Sequence, residues 1–166
     1  MPPVGGDHHD GLIHDWNLSE PRPRPAFPIQ IDDETLRDGL QSPSVVDPPI
    51  EDKVRLLHLM EALGIDTAAV GLPGAGPRAV ADVTALCREI STQRLRIGAN
   101  CAARTMIRDV EPIVRIRDDV GIPIEACLFI GSSPIRQYTE GWTLDTILGH
   151  TEQAVTYAVK HGLPVM

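Results

Sequence analysis

The sequence predicts an α/β fold, a (β/α)8 TIM barrel of which this chain holds the N-terminal half: about four βα units and the start of a fifth strand. Three observations carry this. From residue 28 onward, short apolar runs alternate with segments of helical periodicity, the pattern of a parallel sheet with helical crossovers. The step from one strand to the next is about 30 residues, as in a barrel of about 250 residues built from eight units. The alternation then stops inside a new strand, Leu163–Met166, a poor terminus because its neighbours lose a ladder partner. The chain therefore reads as the first portion of a longer barrel. An open doubly wound sheet shares the alternation and is the competing architecture.

Residues 1–26 read as a Pro/Gly-rich leader without periodicity, and residues 27–166 as the domain portion. His8, His9 and His14 lie in the leader and read as solvated tail groups rather than metal ligands, and Trp16 is placed to pin the leader to the body. Strand one spans 28–33. Helix one spans 50–63, opened by Pro49, with Glu51 and Asp52 where the helix dipole favours acids. Its Val54, Leu57, Met60 and Leu63 recur at helical spacing, and Gly64 closes it. Strand two spans 66–71. Helix two runs from Pro77, a good first-turn residue, to Ser91. Strand three is expected at 95–99. Helix three is expected at 110–119, with Asp109 as N-cap and Pro112 in the first turn. Strand four spans 123–130. Helix four spans 143–161, with Leu144, Ile147, Leu148, Val155, Ala158 and Val159 on one stripe and Gly162 as its stop.

Composition narrows the function. A net charge of −8, with no cluster of Lys or Arg, offers no face that could track a phosphate backbone, which argues against nucleic acid. No apolar run approaches the roughly 18 residues of a membrane span, and no basic segment followed by an apolar one opens the chain. Three cysteines, Cys87, Cys101 and Cys127, without a close pair, fit reduced thiols in a cytoplasmic protein better than a zinc or disulfide framework.

Strand one runs directly into Asp33-Glu-Thr-Leu-Arg-Asp-Gly-Leu-Gln-Ser-Pro43. In a barrel this stretch lies at the C-terminal ends of the strands, where catalytic groups collect. An Asp there can ligate a divalent cation through oxygen, and a neighbouring Arg can stabilise a developing oxyanion. Gly39 permits the tight backbone that brings Gln41 back to Arg37 and Asp38. The alternative is a solvated turn with an Arg–Asp surface pair.

The same stretch resembles the signature of the pyruvate carboxyltransferase-like, or DRE-TIM metallolyase, superfamily. That group includes 2-isopropylmalate, homocitrate and citramalate synthases and hydroxymethylglutaryl-CoA lyase. The likeness continues through Glu51–Leu57, Met60–Asp66 and Gly71-Leu-Pro73, and more faintly through Ala99–Arg104 and Phe129–Ile135. It implies a TIM barrel of amino-acid biosynthesis holding a divalent metal (Mg, Mn or Zn). Arg37 is implied as the catalytic group that polarises a keto oxygen and Asp38 as a metal ligand, with Gln41 beside the substrate. The implied substrates are acetyl-CoA and a 2-oxo acid, joined in a Claisen-like condensation, and the implied full-length assembly is a homodimer. The alternatives are a lyase of the hydroxymethylglutaryl-CoA type and an inactive partial barrel.

Departures from the pattern are visible. Leu40 stands before Gln41, as in the lyase, where most synthases have Glu; the Ser-Pro after Gln41 looks more like a synthase. The acid expected two residues before Gly71 is Ala69. The family's His-x-His metal pair would fall after Met166. Among the remaining candidates, Asn100 and Ser133 are placed to hydrogen-bond a substrate carboxylate, or to serve as cap and turn residues. Gly74-Ala-Gly76 fits a dinucleotide loop, but Asn100 and Cys101 stand where the ribose-binding acid would, so a plain loop and helix start is preferred. His58, His150 and His161 read as packing or surface groups, Cys101 as a small buried thiol, and Arg136–Tyr138 as a weak candidate for acyl-CoA contact.

Overall fold

The computed structural model describes residues 27–166, so the leader, its histidines and Trp16 lie outside the described residues. Four strands form one parallel sheet: β1 (Asp32–Asp33), β2 (Thr67–Ala69), β3 (Gly98–Arg104) and β4 (Ile124–Phe129). The helices between and after them are α1 (Ile50–Leu63), α2 (Pro77–Gln93), α3 (Ile107–Val120), α4 (Pro134–Glu140) and α5 (Leu144–Lys160).

Strand order is sequential, β1-β2-β3-β4. Val165 then bridges Ala126 in parallel, with Met166 N–H donating to the Ala126 carbonyl at 3.0 Å, so a fifth strand begins on the far side of β4 as expected. A doubly wound sheet reverses direction at a switch point, and among the described residues no reversal occurs. This is the barrel order. Among the described residues no helix is long and apolar enough to cross a membrane.

The core lies between the sheet and its helices. Ala68, Ala99, Cys101, Ala103, Ile124 and Ala126 point outward from the strands into Leu57, Leu86, Val110, Ile113 and Ala158 of the helices. Small strand residues let the helices sit close, which is how a sheet with so few aromatics still packs densely.

Several boundaries differ from expectation. β1 pairs over only Asp32–Asp33, and Phe27, Ile29 and Ile31 before it are exposed. Strand three begins at Gly98, not at residue 95. Leu95 N–H bonds back to the Ile90 carbonyl at the end of α2, and the N–H groups of Arg96 and Ile97 donate to the Glu61 carboxylate at 2.9–3.2 Å. With those donors taken, the segment cannot enter the ladder. α3 begins at Ile107 behind Met106, so Asp109 is not its cap but sits inside its first turn, and Pro112 falls in the second. Leu63 at the end of α1 is exposed, and in α5 Leu144, Leu148 and Val159 are exposed, leaving Ile147, Ala154 and Ala158 as its buried stripe. α4 was not anticipated; Pro134 at its first position and Ser133 as its cap are the signals that mark it.

Candidate active site

The stretch after β1 is a tight turn built on one carbonyl. The Glu34 oxygen accepts from the N–H groups of Arg37, Asp38 and Gly39 at 2.8–3.1 Å, and Asp33 Oδ1 accepts from Thr35 N–H at 2.8 Å. Leu36 is buried beneath and anchors the turn. A 3-10 turn at Gly39–Gln41 follows. The backbone thus places Arg37, Asp38 and Gln41 together at the C-terminal rim of the sheet.

Arg37 is largely sheltered, its side chain 20% exposed. Its Nε and Nη2 lie 2.7 and 2.5 Å from Glu34 Oε2, and its Nη1 lies 3.2 Å from Asp38 Oδ1. Asp38 is the opposite case, 66% exposed. Asp38 fits a hard cation as one oxygen ligand, but among the described residues no group of three or more His, Cys, Asp or Glu stands ready to hold a metal.

Arg37, Gln41 and Leu40 line one wall of a cleft of about 420 Å³. The second stretch of lining comes from the β2–α2 segment, Val70–Leu72 and Ala75–Ala79. Lys53 closes the outer end, nearly buried and held by Asp47 at 2.6 Å and Asp82 at 2.7 Å. Burial works against its charge, but the two carboxylates outweigh this and hold its pKa above the ordinary lysine value. Arg78 joins the same cluster through Asp47 at 2.7 Å.

A second polar group occupies the sheet face away from the helices. Asp32 Oδ1 accepts from Thr67 Oγ1 at 2.6 Å and from Asn100 Nδ2 at 2.7 Å. Asn100 is 1% exposed, so the structure places it as a buried bridge between β1 and β3. Ala69, Asn100 and Glu125 share one register row, which sets a carboxylate two strands away from the alanine. Cys127 lies one step further along β4. Burial raises its thiol pKa, the Glu34, Asp32 and Glu125 carboxylates raise it further and Arg37 opposes them, so the thiol stays protonated. Asp32, Thr67, Glu125 and Cys127 were not singled out from sequence; strand alternation about Asn100 and across 124–129 is the signal that finds them.

The remaining candidates separate from this region. Ser133 is exposed and caps α4, its Oγ accepting from Arg136 N–H at 3.3 Å. Arg136 pairs with Glu140 at 3.1 Å and covers the Trp142 ring, and Tyr138 projects into solvent. Cys101 is fully buried on the helix side, its thiol pushed well above the ordinary value by burial and by neighbouring Cys87. His58 pairs with Glu89 at 2.7 Å, His150 packs edge-on against Trp142 and His161 stacks on Tyr157. Gly74 and Gly76 form a plain turn before α2.

Comparison with known proteins gives the family. Residues 28–165 match the model of the HMGL-like family. The chain belongs to the HMGL-like family. Its curated relatives include homocitrate synthase AksA of Methanosarcina mazei, 30% identical over 82% of this chain and 32% of that protein. The 2-isopropylmalate synthase of Sulfurisphaera tokodaii is 30% identical over 82% of this chain and 33% of its own length. That of Streptococcus gallolyticus is 32% identical over 78% and 24%. This HMGL-like chain thus spans about a third or less of the relatives it matches. Membership assigns its sequential parallel sheet to part of a TIM barrel, and the relatives are synthases.

Proposed function

We propose that this HMGL-like chain carries the Arg37 half of an acyltransferase site of the 2-isopropylmalate synthase type, which condenses acetyl-CoA with a 2-oxo acid. One observation carries the reading: Arg37 and Asp38 stand side by side on the rim, and Arg37 lines the cleft together with Gln41. The sheltered guanidinium is placed to stabilise the alkoxide that forms when an acetyl-CoA enolate adds to the keto carbon. Gln41 is exposed on the same wall and would contact the substrate, with Asn100 acting only through its bond to Asp32. Asp38 would supply one ligand to a divalent cation (Mg, Mn or Zn), whose chemistry is to polarise the keto oxygen. Hydrolysis of the product thioester makes the condensation irreversible. The assembled enzyme would be a cytoplasmic homodimer.

Leu40 favours a second reading, a carbon–carbon lyase of the hydroxymethylglutaryl-CoA type. The test takes the product of the complete reading frame. Acetyl-CoA-dependent thiol release is measured over a panel of 2-oxo acids, with the 2-hydroxy diacid identified by mass. Release with any of them supports the synthase. No release, together with cleavage of hydroxymethylglutaryl-CoA to acetoacetate, replaces it with the lyase.

A further inference from the structure

The second wall of the cleft rests on a charged pair that neither the rim nor the interior network uses. Arg104 is the last residue of β3, and Asp109 lies in the first turn of α3. Arg104 Nε and Nη2 lie 2.5 and 3.0 Å from the two oxygens of Asp109, a bidentate fork. The two residues are unequally buried: Arg104 is about half exposed, whereas Asp109 is 2% exposed. A carboxylate so deeply set is held there by its surroundings, and the surroundings include the cleft wall. Gly74 lies against it so closely that a Cβ on the glycine would stand 2.7 Å from the Asp109 carboxyl carbon. Gly74 is the middle of the Pro73–Ala75 turn, and Leu72, Ala75 and Gly76 beside it line the same cleft as Arg37 and Gln41.

We propose that Arg104 and Asp109 are positioning residues: the fork fixes the Asp109 carboxylate, and the carboxylate seats the 71–76 loop at the distance from Arg37 that the ligand needs. The ligand is the 2-oxo acid of the proposed reaction, and this part rests on that reading. The loop contributes backbone and small residues rather than charge, so its placement acts on fit. A helix N-terminal acid would stabilise α3 in any case. The contact with Gly74 is what extends its reach to the cleft.

Two measurements on the product of the complete reading frame test this. The first is hydrogen exchange of peptides covering 71–79 and 107–120. Asp109→Asn keeps the shape but removes the charge of the fork, and exchange in 71–79 should rise by about fivefold or more. Gly74→Ala, which pushes on the same carboxyl from the other side, should do likewise. On an Asp109→Ala background, which removes the carboxyl and leaves only the Cβ at 3.0 Å, Gly74→Ala should add much less than it does in the parent. The second is kinetic: both single variants should raise KM for the 2-oxo acid by about tenfold while kcat stays within about twofold. Exchange that rises in 107–120 but not in 71–79 reduces Asp109 to a helix-capping acid and overturns the proposal. A loosened loop with unchanged KM overturns it too. If the unmodified enzyme shows no condensation, the functional reading fails, and the exchange measurement still decides whether the pair positions the loop.

Discussion

Arg37 places two nitrogens against one oxygen of Glu34, at 2.5 and 2.7 Å, and leaves Nη1 to Asp38. Glu34 thus orients the guanidinium, while the Asp38 contact is the longer of the two and the more exposed. The orientation is that of a planar fork, which a lysine ammonium does not reproduce. Arg37→Ala should therefore lower turnover by about a thousandfold, as for loss of an oxyanion donor, with the melting temperature unchanged. Arg37→Lys should rescue little of it. Full activity in either variant removes Arg37 from the chemistry.

The Asp38 side chain is exposed and, among the described residues, bonded to Arg37 alone, so its replacement leaves the fold intact. Asp38→Asn keeps the shape and removes the charge that a hard cation selects. Divalent-metal affinity of the complete enzyme, read by calorimetry, should fall by about tenfold or more. An unchanged affinity would mean that the metal is held elsewhere.

Glu61 gives a pH-dependent test. The backbone N–H of Arg96 is the largest influence on its carboxylate; burial opposes it, and the Ile97 N–H and the Arg96 guanidinium add to it, so the pKa lies below the ordinary 4.5. A depressed folded-state pKa contributes stability that is present above the unfolded value. That contribution is lost as pH falls from 4.5 through the lower folded value. Glu61→Gln should therefore lower the melting temperature at neutral pH, and the gap to the parent should close below pH 4.5. A gap that stays constant with pH would show that shape, not charge, holds the segment.

The same carboxylate explains what the sequence could and could not reveal. Leu95 and Ile97 carry the apolar alternation of a strand, yet Glu61, more than thirty residues earlier, takes the N–H groups the ladder would need. The real strand, Gly98–Arg104, holds three alanines, a glycine and an asparagine among its seven residues and is weak in β-propensity. Local pattern sees the first and misses the second, because the deciding contact is long-range. The rim was legible for the reverse reason: Thr35 to Gln41 form one local turn, and all its bonds fall within a few residues. Asp32, Thr67 and Asn100 come from three strands, and only register joins them. Asp109 was legible as a helix-start acid, but its contact with Gly74 depends on two loops meeting.

Gly71 begins the far wall of the cleft, and its backbone adopts φ 151°, with Ala102 N–H donating to its carbonyl at 3.0 Å. A Cβ there would stand 2.6 Å from Val83 Cγ2, inside the core beneath α2. Alanine at this position therefore meets both an unfavourable backbone and an overpacked neighbour, which together cost about 1–3 kcal/mol. The two causes can be separated. Val83→Ala removes the methyl that clashes, so in the double variant the steric part should vanish and the backbone part remain. Denaturant unfolding of Gly71→Ala, Val83→Ala and the pair should show the double variant less destabilised than the sum by at least about 0.5 kcal/mol. Strict additivity would mean that the loop relaxes away from Val83, and the cleft wall would then be softer than its contacts imply.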